Sequence, residues 1–178
     1  SAISASAAGS IIVQGGTVSG VSLPEALTFG TASVFESANA IDICAAFDSS
    51  NNRVVFAYKD SGNSPGQGTA VVATLSGTSL TYGTPVVFET DETREPSIAF
   101  DSNENKIVIA YREDNAPSYL GKSVVGTVDP SDNSITFGTA VQFSAANAYN
   151  TTTVFDSNSN RIVIGYRDTS NSNKGTAV

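Results

Sequence analysis

The chain has no histidine and no methionine, and its 178 residues include a single cysteine. Without histidine the commonest general base is gone, and with it the Ser-His and Cys-His nucleophile pairs. A lone Cys44 rules out an intrachain disulfide, so cysteine usage argues neither for nor against an oxidising compartment. The missing methionine leads to the expectation of a processed N-terminus or an excerpt of a longer chain. Charge is scarce too. Charged residues make up 15%, only nine are Lys or Arg, and the net charge is −8. Phosphate binding needs clustered Lys and Arg, and anionic membranes attract basic segments, so neither nucleic acid nor a membrane surface is an expected partner. No apolar run approaches the roughly 18–20 residues of a spanning helix.

What is present is repetition. FDSSNNRVVFAYKD from Phe47 returns as FDSNENKIVIAYRED from Phe100 and as FDSNSNRIVIGYRD from Phe155, at spacings of 53 and 55 residues. LTFGTASVF ending at Phe35, LTYGTPVVF ending at Phe88 and ITFGTAVQF ending at Phe143 keep the same beat. So do GTAVVATLSG from Gly68, GKSVVGTV from Gly121 and a closing GTAV. A fixed period near 50 residues marks a repeat architecture. The organisation expected is an N-terminal arm over 1–10, a partial repeat over 11–40, repeats over 41–93 and 94–148, and a third, partial repeat over 149–178. Ser10–Val18 (SIIVQGGTV) is similar to residues 121–128, so the chain is expected to start inside a repeat.

Each repeat reads as four strands, A to D. In the middle copy A ends at Ile98-Ala99-Phe100, B is Lys106–Tyr111, C is Lys122–Val128, and D is Ile135–Phe143 with a bend at Phe137-Gly138. No 3.6-residue apolar period is long enough for a helix. Strand B is apolar at every position (VVFAY, IVIAY, IVIGY), which predicts cover on both faces. Its penultimate residue is small (Ala57, Ala110, Gly165), so a neighbouring sheet can approach, and Tyr58, Tyr111 and Tyr166 follow it. The A–B link carries Asp and Asn in turn positions, which joins antiparallel neighbours.

The fold class expected is therefore all-β, built from tandem four-stranded antiparallel repeats like the blades of a β-propeller, with a stacked-sheet solenoid as the alternative. Little more than three repeats are present, and rings typically need at least four. Subunits that complete one another, a larger array, and a solenoid all satisfy that arithmetic.

The phrase FDSNENKIVIAYRED…GKSVVGTV…NSITFGTAVQF resembles a repeat of long structural and fibre-like proteins of marine bacteriophages, cyanophages above all, and of bacterial surface proteins. The resemblance covers about residues 11–178. It implies an extracellular or virion-surface appendage and no catalytic residues. The Ala/Ser-rich start and the low repeat number depart from that pattern.

Candidates for chemistry are few. Cys44 has Ser97 and Thr152 at its repeat positions, so the thiol reads as a buried spectator. The recurrent acids Asp48, Asp101, Asp156 and Asp60, Glu113, Asp168 obey the repeat, whereas a catalytic pair would break it at one place. Asp101, Asn103, Asn105 and Asp156, Asn158, Asn160 have the start of a calcium loop but lack its central Gly and distal acid; an Asx-capped turn accounts for them. Tyr58, Tyr111, Tyr166, Phe35, Phe88 and Phe143 read as core, with a carbohydrate-binding rim as the rival.

The function expected is a structural, non-enzymatic repeat protein of a fibre, self-assembling into an oligomer or filament without a cofactor. A carbohydrate-binding module with a surface glycan as partner is the alternative. The residues expected to carry assembly are Ile11, Ile12, Val13, Phe29, Val34 and Phe35 at one end and Thr176, Ala177 and Val178 at the other.

Overall fold

A computed structural model of the chain describes residues 3–5, 11–13, 16–18, 29–115 and 118–178. Among them there is no α-helix; strands dominate, with one 3-10 turn at Thr169–Asn171. The chain divides into two compact units, Ser1–Thr31 and Ala32–Val178.

The described residues of the first unit include three short antiparallel strands, β1 (Ile3–Ala5), β2 (Ile11–Val13) and β3 (Gly16–Val18). The sequence led us to expect an arm over 1–10 and one strand through Ser10–Val18. The arm instead contains β1, and the single strand is two, with Ile11 opposite Val18 and Val13 opposite Gly16. Only two residues separate β2 from β3, and a connection that short joins antiparallel neighbours. The expected strand from Leu27 falls partly outside the described residues, and residues 29–39 carry no strand.

The second unit is one open antiparallel sheet of eleven strands. They are β4 (Ala40–Asp48), β5 (Arg53–Asp60), β6 (Gln67–Ser76), β7 (Ser79–Tyr82), β8 (Val86–Asp101), β9 (Lys106–Asn115), β10 (Ser118–Asp129), β11 (Ser134–Phe137), β12 (Val141–Asp156), β13 (Arg161–Asp168) and β14 (Lys174–Ala177). The hydrogen-bonded order is β14-β13-β12-β10-β9-β8-β6-β5-β4, with β7 on β6 and β11 on β10. The edges β14 and β4 stay apart in this order.

Two features organise the path. First, β8 and β12 are each 16 residues long and serve two neighbours in succession. The start of β8 pairs with β6 and its end with β9; β12 passes from β10 to β13 in the same way. The last strand of one repeat therefore runs into the first strand of the next without a loop. Second, strand D is split as its glycine suggested: β11 ends at Phe137 and β12 begins at Val141. At the break the Gly138 N–H donates to the Val125 carbonyl at 2.9 Å, so the backbone stays satisfied.

The B strands face two ways. Along β9, Ile107, Ile109 and Tyr111 alternate with Val108 and Ala110, and all five are buried. The main core joins Val55, Ala57, Ala70 and Val72 of β5 and β6 to Ile98, Ile107, Ile109, Tyr111, Val124, Val128 and Ile135 of the next repeat. Fully burying one such aliphatic side chain contributes about 1.5–3 kcal/mol. The core thus lies between repeats, and each repeat needs a neighbour to hide its face.

Candidate functional site

The recurrent aspartates are spent on their own turns. Asp101 Oδ1 accepts the backbone N–H of Asn103 at 2.9 Å and of Glu104 at 3.0 Å. Asp156 Oδ1 accepts from the Asn158 N–H at 2.9 Å and the Ser159 N–H at 3.4 Å, and its Oδ2 takes the Ser159 hydroxyl at 2.6 Å. These bonds, the Ser159 hydroxyl first, hold the Asp156 carboxyl below its ordinary range. Asp48 makes the same turn with Ser50 and Asn51. Asn52, Asn105 and Asn160 close the three turns at φ of 53–56°, the left-handed region that Asn tolerates. Asn103 turns its amide to Glu104, and Asn105 accepts from Ser50 of the preceding repeat. Of the six residues of the calcium-loop reading, Asp101, Asn103, Asn105 and Asp156 turn their side chains to turn backbone and to neighbouring side chains.

A second set of acids lies at the opposite ends of the B strands. Carboxylate oxygens of Glu89, Asp91 and Glu113 lie within 4.8 Å of one another. Lys122 sits among them, 2.7 Å from Glu113 and 3.3 Å from Glu89. One ammonium cannot neutralise three carboxylates. Burial first, and then Asp91 and Glu89 against the pull of Lys122, push the Glu113 carboxyl above its usual range. The Lys122 ammonium is held charged by the same acids despite its burial. A chain of ions runs alongside: Lys59–Glu92 at 2.5 Å, Arg94–Glu92 at 2.7 Å, Arg94–Asp114 at 2.9 Å. It ties β5 to β8 and β9. The Lys59 hydrogen bond is the main reason the Glu92 carboxyl lies low. Arg112 lies 4.0 Å over the Tyr149 ring, and its Nε and Nη1 have no hydrogen-bond partner among the described residues.

The aromatic residues pair inward, with identical geometry in each repeat. Phe35–Tyr58, Phe88–Tyr111 and Phe143–Tyr166 stand 5.3, 5.2 and 5.3 Å apart at 59°. Tyr58 and Tyr111 are fully buried, and their hydroxyls donate to Glu36 at 3.0 Å and Glu89 at 2.9 Å. Such rings fill the core rather than offer a stacking platform for sugar. Gly68 and Gly121 make room for Phe88 and Phe143: a Cβ there would lie 2.4 and 2.6 Å from the ring. The Cys44 thiol donates to the Ala57 carbonyl, and burial pushes it up to about 12.

Sequence reasoning missed one set of residues. Asp42, Glu95 and Asn150 sit at φ of 54, 51 and 54°, where the pairing register of each A strand slips. Asp42 Oδ2 accepts the Glu95 N–H at 3.2 Å, and a Glu95 carboxylate oxygen accepts the Asn150 N–H. The Thr151 hydroxyl donates to the Glu95 carbonyl. Each repeat thus takes the backbone of the next. The signal was a polar residue breaking strand A at the repeat spacing.

The two junctions between repeats differ. Between the first and second repeats, Val128 and Ile135 of the β10–β11 hairpin bury against Val55 and Val72. Arg53 grips that hairpin's turn, with Nε on Asn133 Oδ1 at 2.6 Å and Nη2 on the Pro130 carbonyl at 2.7 Å. Phe137 packs on Phe88 at 5.7 Å. Between the second and third repeats the corresponding space is a groove of about 400 Å³. Val108, Val125, Phe143, Ile162, Ile164 and Val178 line it, with Asp101, Glu104, Lys106 and Ser123. Lys106 stands where Arg53 does and turns to the Thr127 hydroxyl at 2.8 Å. Gly175, the counterpart of Gly68 and Gly121, has nothing within 4 Å of its Cβ position.

The residues expected to carry assembly are distributed as follows. Thr176 and Ala177 lie in the edge strand β14, opposite Tyr166 and Gly165. Val178 exchanges backbone hydrogen bonds with Ile164 and lines the groove, its side chain exposed. Phe29 and Val34 are exposed, Phe29 by 88%, while Phe35 stacks on Phe56. Ile11, Ile12 and Val13 form β2. No family model, curated protein or solved structure matches the chain.

Proposed function

We propose that the chain is a structural module that assembles by joining its repeats end to end, in a fibre or appendage at a virion or cell surface. Its repeats act as blades that pack face to face with the A strands innermost, as in a propeller. The ladder from Asp42 through Glu95 to Asn150 supports this packing, since it links A strands of successive repeats side by side. The observation that carries the reading is that the main core lies between repeats, with Val55 and Val72 of one buried against Val128 and Ile135 of the next, so each repeat needs a neighbour to cover its face. Head-to-tail contacts of that kind give a ring where the rotation closes and a filament where it does not. The turn aspartates bonded within their own turns and the rings packed inward support a mechanical role. Sedimentation velocity and electron microscopy of the purified chain test it. Concentration-dependent oligomers, rings or filaments are the expected result. A chain that stays monomeric up to about 100 µM, a concentration at which even weak specific contacts form, refutes it.

A further inference from the structure

The two junctions keep a cation at the same place and differ in the acid that answers it. Lys59 and Arg112 each follow the tyrosine of a B strand, opposite Gly68 and Gly121. Lys59 is buried and meets Glu92 of the next repeat at 2.5 Å. Glu92 stands opposite Gln67; at the same repeat position, opposite Leu120, stands Asn147. Two residues on, Arg94 gives way to Tyr149. The second junction thus keeps its cation, as arginine, and lacks the carboxylate.

Arg112 is 6% exposed, and its Nε and Nη1 have no hydrogen-bond partner among the described residues. Asp114 gives it one long contact, at 3.4 Å, and is itself held by Arg94 at 2.9 Å. Tyr149 lies over the guanidinium at 4.0 Å. Stacking occupies the face of the group and leaves its in-plane N–H donors to an acceptor. Arg167, 4.6 Å from the same ring, adds a second positive charge. Buried polar groups are nearly always bonded and buried charges paired, so a guanidinium with two unbonded nitrogens at this depth calls for an anion.

We infer that Arg112, stacked on Tyr149 and with Asn147 at the register of Glu92, binds one carboxylate group of a ligand. That group takes the part that Glu92 plays for Lys59. The planar fork of arginine suits a carboxylate better than the point charge of lysine does. An amide at position 147 can donate to the carboxylate, where an acid would repel it. The ligand is a free organic acid or a uronate unit of an acidic polysaccharide, since both present the same group. The inference does not depend on end-to-end assembly.

The test uses the full chain, with glucuronate as the small acid, alginate oligomers as the polysaccharide and chloride at equal ionic strength as the reference. Titration calorimetry gives the Kd. Glucuronate at about tenfold over its Kd is expected to raise Tm by roughly 3–6 °C, as a ligand that binds only the folded state does. Asn147→Glu supplies the acid within the chain; it should melt no lower than the parent and lose the response. Arg112→Gln should lose the response as well, with circular dichroism checking that the β signal is kept. Alginate that binds at least about tenfold tighter per uronate marks the polysaccharide as the source, and equal binding marks a free acid. A parent Tm that moves no more in glucuronate and alginate than in chloride overturns the inference. So does a response that either variant retains.

Discussion

Val72 and Val125 occupy the same repeat position and make a matched pair. Each sits in a C strand opposite a B-strand valine, Val55 or Val108, and each accepts a glycine N–H at its carbonyl, from Gly83 or Gly138. Only their cover differs: Val72 is 0% exposed beneath the next repeat's hairpin, and Val125 is 47% exposed in the open groove. Replacing either by alanine removes two carbons and changes strand propensity equally, so propensity cancels in the comparison. For Val72 the lost transfer energy is about 1.6 kcal/mol at ~0.8 per carbon, and the cavity left behind brings the cost to about 2–3 kcal/mol. For Val125, half in water already and with no cavity to leave, about 0.5–1 kcal/mol is expected. The difference of about 1–2 kcal/mol corresponds to a Tm lower by roughly 2–8 °C for Val72→Ala than for Val125→Ala. Thermal unfolding at sub-micromolar concentration, with sedimentation confirming monomers, measures it. At higher concentration Val125→Ala should cost association instead. Equal destabilisation of the two monomeric variants would refute the distinction between a filled and an open junction.

Ile109 is fully buried, so Ile109→Asp leaves an unpaired charge in the core and costs several kcal/mol; a melting temperature within about 2 °C of the parent would contradict that. The carboxylates of Asp101 and Asp156 are already bonded within their turns, so millimolar calcium is expected to leave Tm unchanged, and a rise of more than about 5 °C would show a ligand binding the folded state. Glu113 has a raised folded pKa, so its contribution to stability is present below its unfolded value near 4.5 and is lost as pH rises through the folded one. Glu113→Gln should therefore match the parent near pH 4 and gain on it towards pH 7 in urea unfolding; a variant that falls behind as pH rises would mean the Lys122 pair outweighs the repulsion.

The strands that were legible carry a local signal. Ile107 to Tyr111 is apolar without a gap and is covered on both faces; Gly138 marks the break in strand D; Asp and Asn mark the A–B turns. The joined strands β8 and β12 were hidden by composition. ETDETREP from Glu89 to Pro96 reads as a solvated loop, yet Lys59, Lys122 and Asp114 on neighbouring strands pair with Glu92, Glu89 and Arg94, and pairing of that kind cannot be seen in one segment. The Asp42–Glu95–Asn150 ladder was hidden for the same reason, since each partner lies a whole repeat away. At the N-terminus the likeness of Ser10–Val18 to 121–128 concealed that Ile11–Val13 and Gly16–Val18 pair with each other.

The joined strands also determine where the chain can change length. Phe35 and Phe47, Phe88 and Phe100, and Phe143 and Phe155 are each twelve residues apart, while Gly68 to Phe88 is twenty and Gly121 to Phe143 is twenty-two. The joint keeps a fixed count and the C–D turn absorbs the variation. A single residue added to the joint would invert the facing of every side chain after it and turn the buried Ile107, Ile109 and Tyr111 away from their neighbours. The turn between β6 and β7 bears no such constraint: Gly77 lies at φ 58° with no atom near its Cβ position. A guest peptide spliced in at Gly77-Thr78 would be displayed once per chain, and the spacing of the repeats would not register its presence.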